Sequence, residues 1–164
     1  MEVRLLNGHD NRTAVSHIYE ASWKHAYKGI IPQAYLDSIP EGRWCKAIDN
    51  PDWHTLVMLD DGKMIGTSSY CASRFDNMKG YGEIISIYLL PEYCGKGFGK
   101  QLLQEAMSGL KQMGYQDIFL WVLEENLSAR RFYEKFGFAE SGAYLEDNIG
   151  GKQLREMQYI YKIR

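Results

Sequence analysis

Apolar positions recur along this chain with two different periods, and each change of period marks a new element. A short apolar run, Val3 to Leu6, opens it. After Asp10, a residue type suited to cap a helix, Val15, Ile18, Tyr19, Ser22 and Ala26 return at three-and-four spacing, which predicts a helix stopped near Gly29. Pro32 suits the first turn of a second short helix reaching Ile39, and Trp44 to Ile48 forms a third helical cluster before Pro51. The period then falls to two. His54 to Leu59 and Met64 to Ala72 flank Asp60-Asp61-Gly62, a hairpin signal because Asp-Gly supplies the positive dihedrals of a tight turn. Glu83 to Leu90 reads as a third strand, ended by Pro91.

The longer period comes back at Leu102, Leu103, Ala106, Leu110 and Met113, one face of a helix that starts near Lys100 and stops at Gly114. Asp117 to Leu123 is another buried strand. Asn126 is placed to cap a helix carrying Ala129, Phe132, Tyr133 and Phe136, with Gly137 as its stop. Two strands close the chain, around Phe138 to Tyr144 and Leu154 to Ile163. A strand, helices, three strands, helix, strand, helix and two strands make an α/β protein, with an α+β or mixed sheet rather than a bundle or sandwich.

Composition narrows the reading. The 164 residues, 45% hydrophobic and 13% aromatic, suffice for a single core, and no repeat or linker divides residues 1–164, so one domain is expected. Nineteen basic and twenty-one acidic side chains leave a net charge of -2, too weak a field to grip nucleic acid or an anionic membrane. No apolar stretch approaches the roughly 20 residues of a membrane helix, and Met1 to Leu6 lacks the apolar core of a signal peptide, so a cytoplasmic protein is expected. Cys45, Cys71 and Cys94 are odd in number and contain no Cys-x-x-Cys pair, which predicts free thiols. His9, His17, His25 and His54 have no metal-ligand spacing, and no metal is expected.

One loop carries candidate chemistry. Cys94-Gly95-Lys96-Gly97-Phe98-Gly99 links a strand to a helix, and its alternating glycines read either as a flexible connection or as a backbone cradle for a phosphate at the helix N-terminus. The Gly-x-Gly-x-x-Gly of a dinucleotide fold fails because the third glycine arrives one residue early and a hairpin precedes the loop. A P-loop fails because Gly-Lys-[Ser/Thr] is missing after a four-residue gap.

With its neighbours, the loop resembles the GNAT superfamily of N-acetyltransferases, in particular the small bacterial members. Their signature Gln/Arg-x-x-Gly-x-Gly/Ala appears here as Cys94-x-x-Gly97-x-Gly99. Ile87-Tyr88-Leu89-Leu90-Pro91 lies before it, and Asn126-x-x-Ala129-x-x-Phe132-Tyr133-x-x-x-Gly137-Phe138 after it, so the likeness covers about residues 54 to 140. Ser22 to Pro32 also resembles a segment common in such proteins. The resemblance implies a mostly antiparallel sheet of about six to seven strands flanked by helices, with acetyl-CoA as cosubstrate. It implies that Gly95, Lys96, Gly97, Phe98, Gly99 and Lys100 hold the diphosphate and that Asn126 contacts the pantetheine chain. A backbone N–H of Ile87, Tyr88 or Leu89, with Leu89 favoured, would polarise the thioester carbonyl. Cys94 departs from the pattern, removing one side-chain donor from the diphosphate.

Acetyl transfer to an amine needs a base, an oxyanion donor and a proton for the departing thiolate. An alkylammonium with a pKa of about 10.4 is scarcely deprotonated near neutral pH. The resemblance assigns the base to Glu83, eleven residues before Cys94, and the acid to Tyr133. Peptide amino-terminal acetyltransferases of the superfamily can carry their base five residues before the asparagine, where this chain has Trp121. Trp23, Tyr27 and Tyr35, with Glu146 and Asp147 in the expected loop before the last strand, suit a cationic small-molecule amine. The expected reaction is acetylation of such a primary amine by direct attack. The alternatives are a protein or peptide N-acetyltransferase and a non-catalytic acyl-CoA sensor. Homodimerisation is left open.

Overall fold

A single seven-stranded sheet, in the order β1-β2-β3-β4-β5-β7-β6, organises residues 1–162, the part of the chain that the computed structural model describes. Its strands are β1 Glu2–Leu5, β2 His54–Asp60, β3 Lys63–Ala72, β4 Gly82–Leu89, β5 Asp117–Leu123, β6 Ala139–Ile149 and β7 Lys152–Lys162. The helices are α1 Arg12–Ala26, α2 Gln33–Ser38, α3 Cys45–Ile48, α4 Phe98–Gln112 and α5 Leu127–Phe136. Short 3-10 turns at Asp76–Met78 and Pro91–Tyr93, unseen in the sequence pattern, flank β4. The expected end of the last strand at Ile163 lies outside the described residues.

The sheet sets one helical layer on each face. On one, Leu102, Leu103, Ala106 and Leu110 of α4 pack with Ile84, Ile118, Leu120 and Tyr159, all buried. On the other, Val15 and Tyr19 of α1 meet Val57 and Leu59, while Ile31 and Leu36 meet Leu123 and Leu154. Alternation along β5 explains the division: Ile118, Leu120 and Val122 join the α4 side, and Leu123 the α1–α2 side.

Every pairing is antiparallel except that of β4 with β5. That parallel pairing covers only Gly82↔Ile118 and Glu83↔Phe119. Beyond it the two strands separate, and β4 carries a bulge, since Ser69 faces Ser86 and Tyr70 faces Ile84, leaving Ile85 without a partner. A parallel pair that opens in mid-sheet leaves backbone donors and acceptors on both facing edges.

Several boundaries differ from the sequence reading. Asn11, not Asp10, caps α1: its side-chain oxygen accepts from the N–H groups of Thr13 and Ala14 at 2.9 and 3.3 Å. Asp10 is taken instead by the Arg4 guanidinium, at 2.8 and 2.9 Å, which holds its carboxyl at about 2. A bidentate charged pair with a preceding strand outcompetes a capping contact. The α1 helix ends at Ala26, earlier than Gly29, and α4 begins at Phe98, before Lys100. β6 runs on to Ile149, so Glu146 and Asp147 stand in a strand and not in a loop. The hairpin at Asp61-Gly62 forms as expected, both residues having positive φ (49° and 82°).

Candidate active site

Two structures meet where β4 leaves β5. The first is the Cys94–Lys100 loop. Gly95 and Gly97 have φ of 74° and 88°, in the left-handed region, and a side chain added at either would meet nothing within 4 Å. Gly97 is the N-cap of α4 and offers no side-chain acceptor to the first turn. Among the described residues, the backbone N–H groups of Gly95, Lys96, Gly97, Phe98, Gly99 and Lys100 donate to no protein acceptor, and only at Gln101 does bonding begin, to Gly97 at 3.3 Å. An open cradle of unspent donors at the positive end of a helix fits a diphosphate. Gly99 fits against Phe132, whose ring would lie 3.6 Å from a Cβ placed on the glycine, so it brings α5 close to the loop. Lys96 lies over the Tyr93 ring at 5.6 Å, and Lys100 is exposed on the first turn. Cys94 is exposed too, its thiol directed toward the Leu90 carbonyl at 3.8 Å.

The second is the opening itself. The Leu90 N–H donates to Ile65 at 2.8 Å, and bonded pairs alternate along an antiparallel ladder. With Thr67 facing Tyr88, the N–H of Tyr88 is therefore turned toward β3, while those of Ile87 and Leu89 point into the opening. Of the three candidates for polarising a carbonyl, Tyr88 is thus already committed. Its side chain is engaged as well, the phenol accepting from the Trp23 indole N–H at 3.1 Å on the α1 side.

Tyr133, on α5, packs edge-on against Phe132 and Phe138. Burial raises its pKa, and the Tyr88 phenol raises it further. Burial likewise lifts Tyr27, with Tyr88, Tyr133 and Glu156 adding to the shift, and pushes Tyr88 up to about 12. The three phenols, at the end of α1, on β4 and on α5, are each half-buried and are all held protonated at neutral pH. Asn126 spends its side-chain oxygen on capping α5, accepting from Ala129 at 3.3 Å, so its amide nitrogen is the group left for a ligand.

Glu83 sits at the last paired position before the strands part and is wholly buried. Arg74 encloses it: Oε1 accepts from the Arg74 backbone N–H at 3.0 Å and from Nε at 3.2 Å, while Oε2 accepts from Nε at 3.1 Å and Nη2 at 2.6 Å. The outer flank of Arg74 is 45% exposed and lies over Trp53 and Phe75.

Sequence reasoning missed Arg74 and Glu156. Both are ordinary surface types at positions with no motif, and only the pairing of β7 with β5, Leu123↔Glu156, brings the latter to the site. Trp121 packs against Phe75 and Phe119, and its buried indole N–H has no partner among the described residues. Tyr35 packs in the α2 cluster, and Glu146 pairs with Arg155 at 3.6 Å, one residue along from Glu156 and so on the opposite face of the sheet. Surface depressions of about 520 Å³, beside Glu124, Glu125, Glu146 and Arg155, and about 420 Å³, beside Lys28–Gln33, lie away from the opening. Neither is lined by Tyr88, Tyr133 or the glycine loop.

Residues 13–138 match the model of the acetyltransferase (GNAT) family. An uncharacterized N-acetyltransferase of Bacillus subtilis, YuaI, is 32% identical over 152 residues, covering 87% of this chain and 83% of that protein. A spermidine N(1)-acetyltransferase of Thermoplasma acidophilum is 29% identical, covering 97% and 98%. The PaiA N-acetyltransferase of Thermoplasma acidophilum, solved in complex with coenzyme A, shares the fold with a TM-score of 0.74 at 24% identity, over 98% of this chain and 100% of that one.

Proposed function

The chain belongs to the GNAT acetyltransferase family and is an acetyl-CoA-dependent N-acyltransferase; from that premise we propose that its acceptor is a primary amine of a cationic small molecule, of the polyamine class. The observation that carries this reading is the aromatic group at the β4 edge, where the Trp23 indole donates to the Tyr88 phenol at 3.1 Å and packs on Tyr27 at 5.0 Å, and where Tyr88 raises the pKa of both Tyr27 and Tyr133. Aromatic faces attract ammonium groups and exclude water from the reacting centre. The spermidine-acetylating relative supports the same class.

In this reading the Gly95–Lys100 backbone holds the diphosphate, and the Asn126 amide and the β4 edge hold the pantetheine chain. Acetyl-CoA supplies the activated acyl group. The Ile87 N–H, nearer Glu83 along β4 than that of Leu89, holds the negative charge that develops on the thioester oxygen, a task that needs a fixed donor with no other partner. Glu83, four residues and roughly 13 Å back along the strand, takes the proton of the attacking nitrogen through bridging water. Since its lone-pair directions are filled by Arg74, it does so only when one guanidinium contact gives way, which the exposed outer flank of Arg74 permits. Tyr133 gives its proton to the departing thiolate, a role suited to a phenol held protonated well above its ordinary range. Trp121, where a peptide amino-terminal enzyme can place its base, contributes a wall instead.

A screen of amines with acetyl-CoA, followed by release of free thiol, tests the proposal. Diamines and polyamines are expected to give higher kcat/KM than amino acids or peptide amino termini. Acetylation of a peptide amino terminus with no turnover of any small cationic amine would overturn it.

A further inference from the structure

We propose that Glu156 binds the second, non-reacting ammonium of the acceptor and so selects diamines and polyamines over monoamines; the proposal rests on the amine reading above. Glu156 lies in the middle strand of a β5-β7-β6 ladder, facing Leu123 on one side and Leu145 on the other. Alternation sets its side chain on the face of Leu154 and Gln158, the face covered by α1 and α2. It is half-buried, yet among the described residues it makes no hydrogen bond and no ion pair. Carboxylates at such depth are ordinarily answered by a donor or a cation.

The charged and titratable groups around it come from four elements. Arg74 reaches it from the segment after β3, Asp147 from β6, Tyr27 from the end of α1 and Tyr88 from β4. Arg74 spends Nε and Nη2 on Glu83 and makes no ion pair with Glu156, and Asp147 repels it, so among the described residues the carboxylate has no cation in contact. Burial and Asp147 accordingly raise its pKa, with Arg74 opposing.

Position suits this role. Glu156 is two strands from β4, so its backbone stands about 10 Å from the β4 edge where the thioester carbonyl would lie, and farther where β4 and β5 part. That spacing matches a second ammonium several methylenes away from the reacting nitrogen, with β5 between the two.

The test compares 1,4-diaminobutane with 1-aminobutane, which differ in the second ammonium alone, using the full chain and its Glu156→Gln and Glu156→Asp variants. In the wild-type protein the diamine should have the higher kcat/KM. In Glu156→Gln that preference should shrink by about 10- to 100-fold, as expected for a lost charge-assisted contact, and appear in KM rather than kcat. Glu156→Asp should restore part of it, which also reports on folding. Calorimetric binding of the diamine to the coenzyme A-saturated protein should weaken in parallel. An unchanged preference with unchanged diamine binding overturns the proposal, as does a fall in kcat for both amines that recovers at high pH, which would make Glu156 the base. A wild-type protein that neither acetylates nor binds the diamine overturns the amine reading itself.

Discussion

The two halves of the reaction centre are built in opposite ways. The cofactor side is seven consecutive residues, Cys94 to Lys100, whose useful groups are backbone N–H donors. The proposed acceptor side draws Tyr27, Arg74, Tyr88, Trp121 and Glu156 from five separate stretches of the chain, and its useful groups are side chains. A site made of backbone needs only the right dihedrals and the absence of Cβ atoms, which a few glycines provide locally. A site made of side chains depends on the register of strands far apart in sequence. Substitutions on the two sides should therefore fail in different observables.

The largest effect is expected on the acceptor side. Glu83→Gln keeps the shape but removes the base, and kcat should fall by about 10²- to 10⁴-fold, or roughly 3 to 5 kcal/mol of barrier. Raising the pH should partly rescue it, because more of the amine then arrives neutral. A pH-rate profile separates this from loss of the Arg74 pair alone, which would lower the melting temperature without any rescue by pH. Rates near wild type would remove Glu83 from catalysis.

Tyr133→Phe removes one hydroxyl and should lower kcat by about 10- to 100-fold with little change in cofactor affinity, the mark of a group used in the transition state. Higher pH should not rescue it. A variant with unaltered turnover would break the assignment of the acid, and one with weakened coenzyme A binding would move Tyr133 to the cofactor side of the comparison.

Smaller changes are expected in the loop, and in Kd rather than kcat. Gly97→Val fills the open cradle and forces a branched residue to a φ of 88°, a strain of about 1 to 3 kcal/mol. Coenzyme A affinity should drop about tenfold or more by calorimetry, with a modest fall in melting temperature. A folded variant with unchanged affinity would sink the diphosphate assignment. Cys94→Arg restores a charged donor beside the loop. The exposed position limits the gain to less than about tenfold tighter binding, fading with added salt; no gain at low salt would show that the backbone donors suffice.

How much is legible in the sequence follows the same division. The hairpin at Asp61-Gly62, the glycine loop and the stop at Gly137 are legible because each is a run of neighbouring residues whose dihedrals dictate their types. The cap of α1 falls one residue later than its pattern suggests because Arg4, from β1, claims Asp10. The last hairpin is longer than the apolar pattern indicates, since the turn at Gly150-Gly151 and the register Glu146↔Arg155 extend β6 through polar residues that carry no apolar period. Glu83 is visible from its distance to the loop, but its enclosure by Arg74 is not.

By itself the sequence determined the order of elements, the family and the glycine-rich loop before α4. These rest on local propensity, apolar period and backbone freedom, all of which act between residues near one another in the chain. Only the tertiary structure decided that β4 and β5 pair at two positions and then part, that the Tyr88 N–H is turned to β3 and the Leu89 N–H away from it, and that Glu156 lies opposite Leu123 on the face covered by α1 and α2. Those facts are set by strand register and sheet order, where a shift of one residue would turn each of these groups to the opposite edge or face.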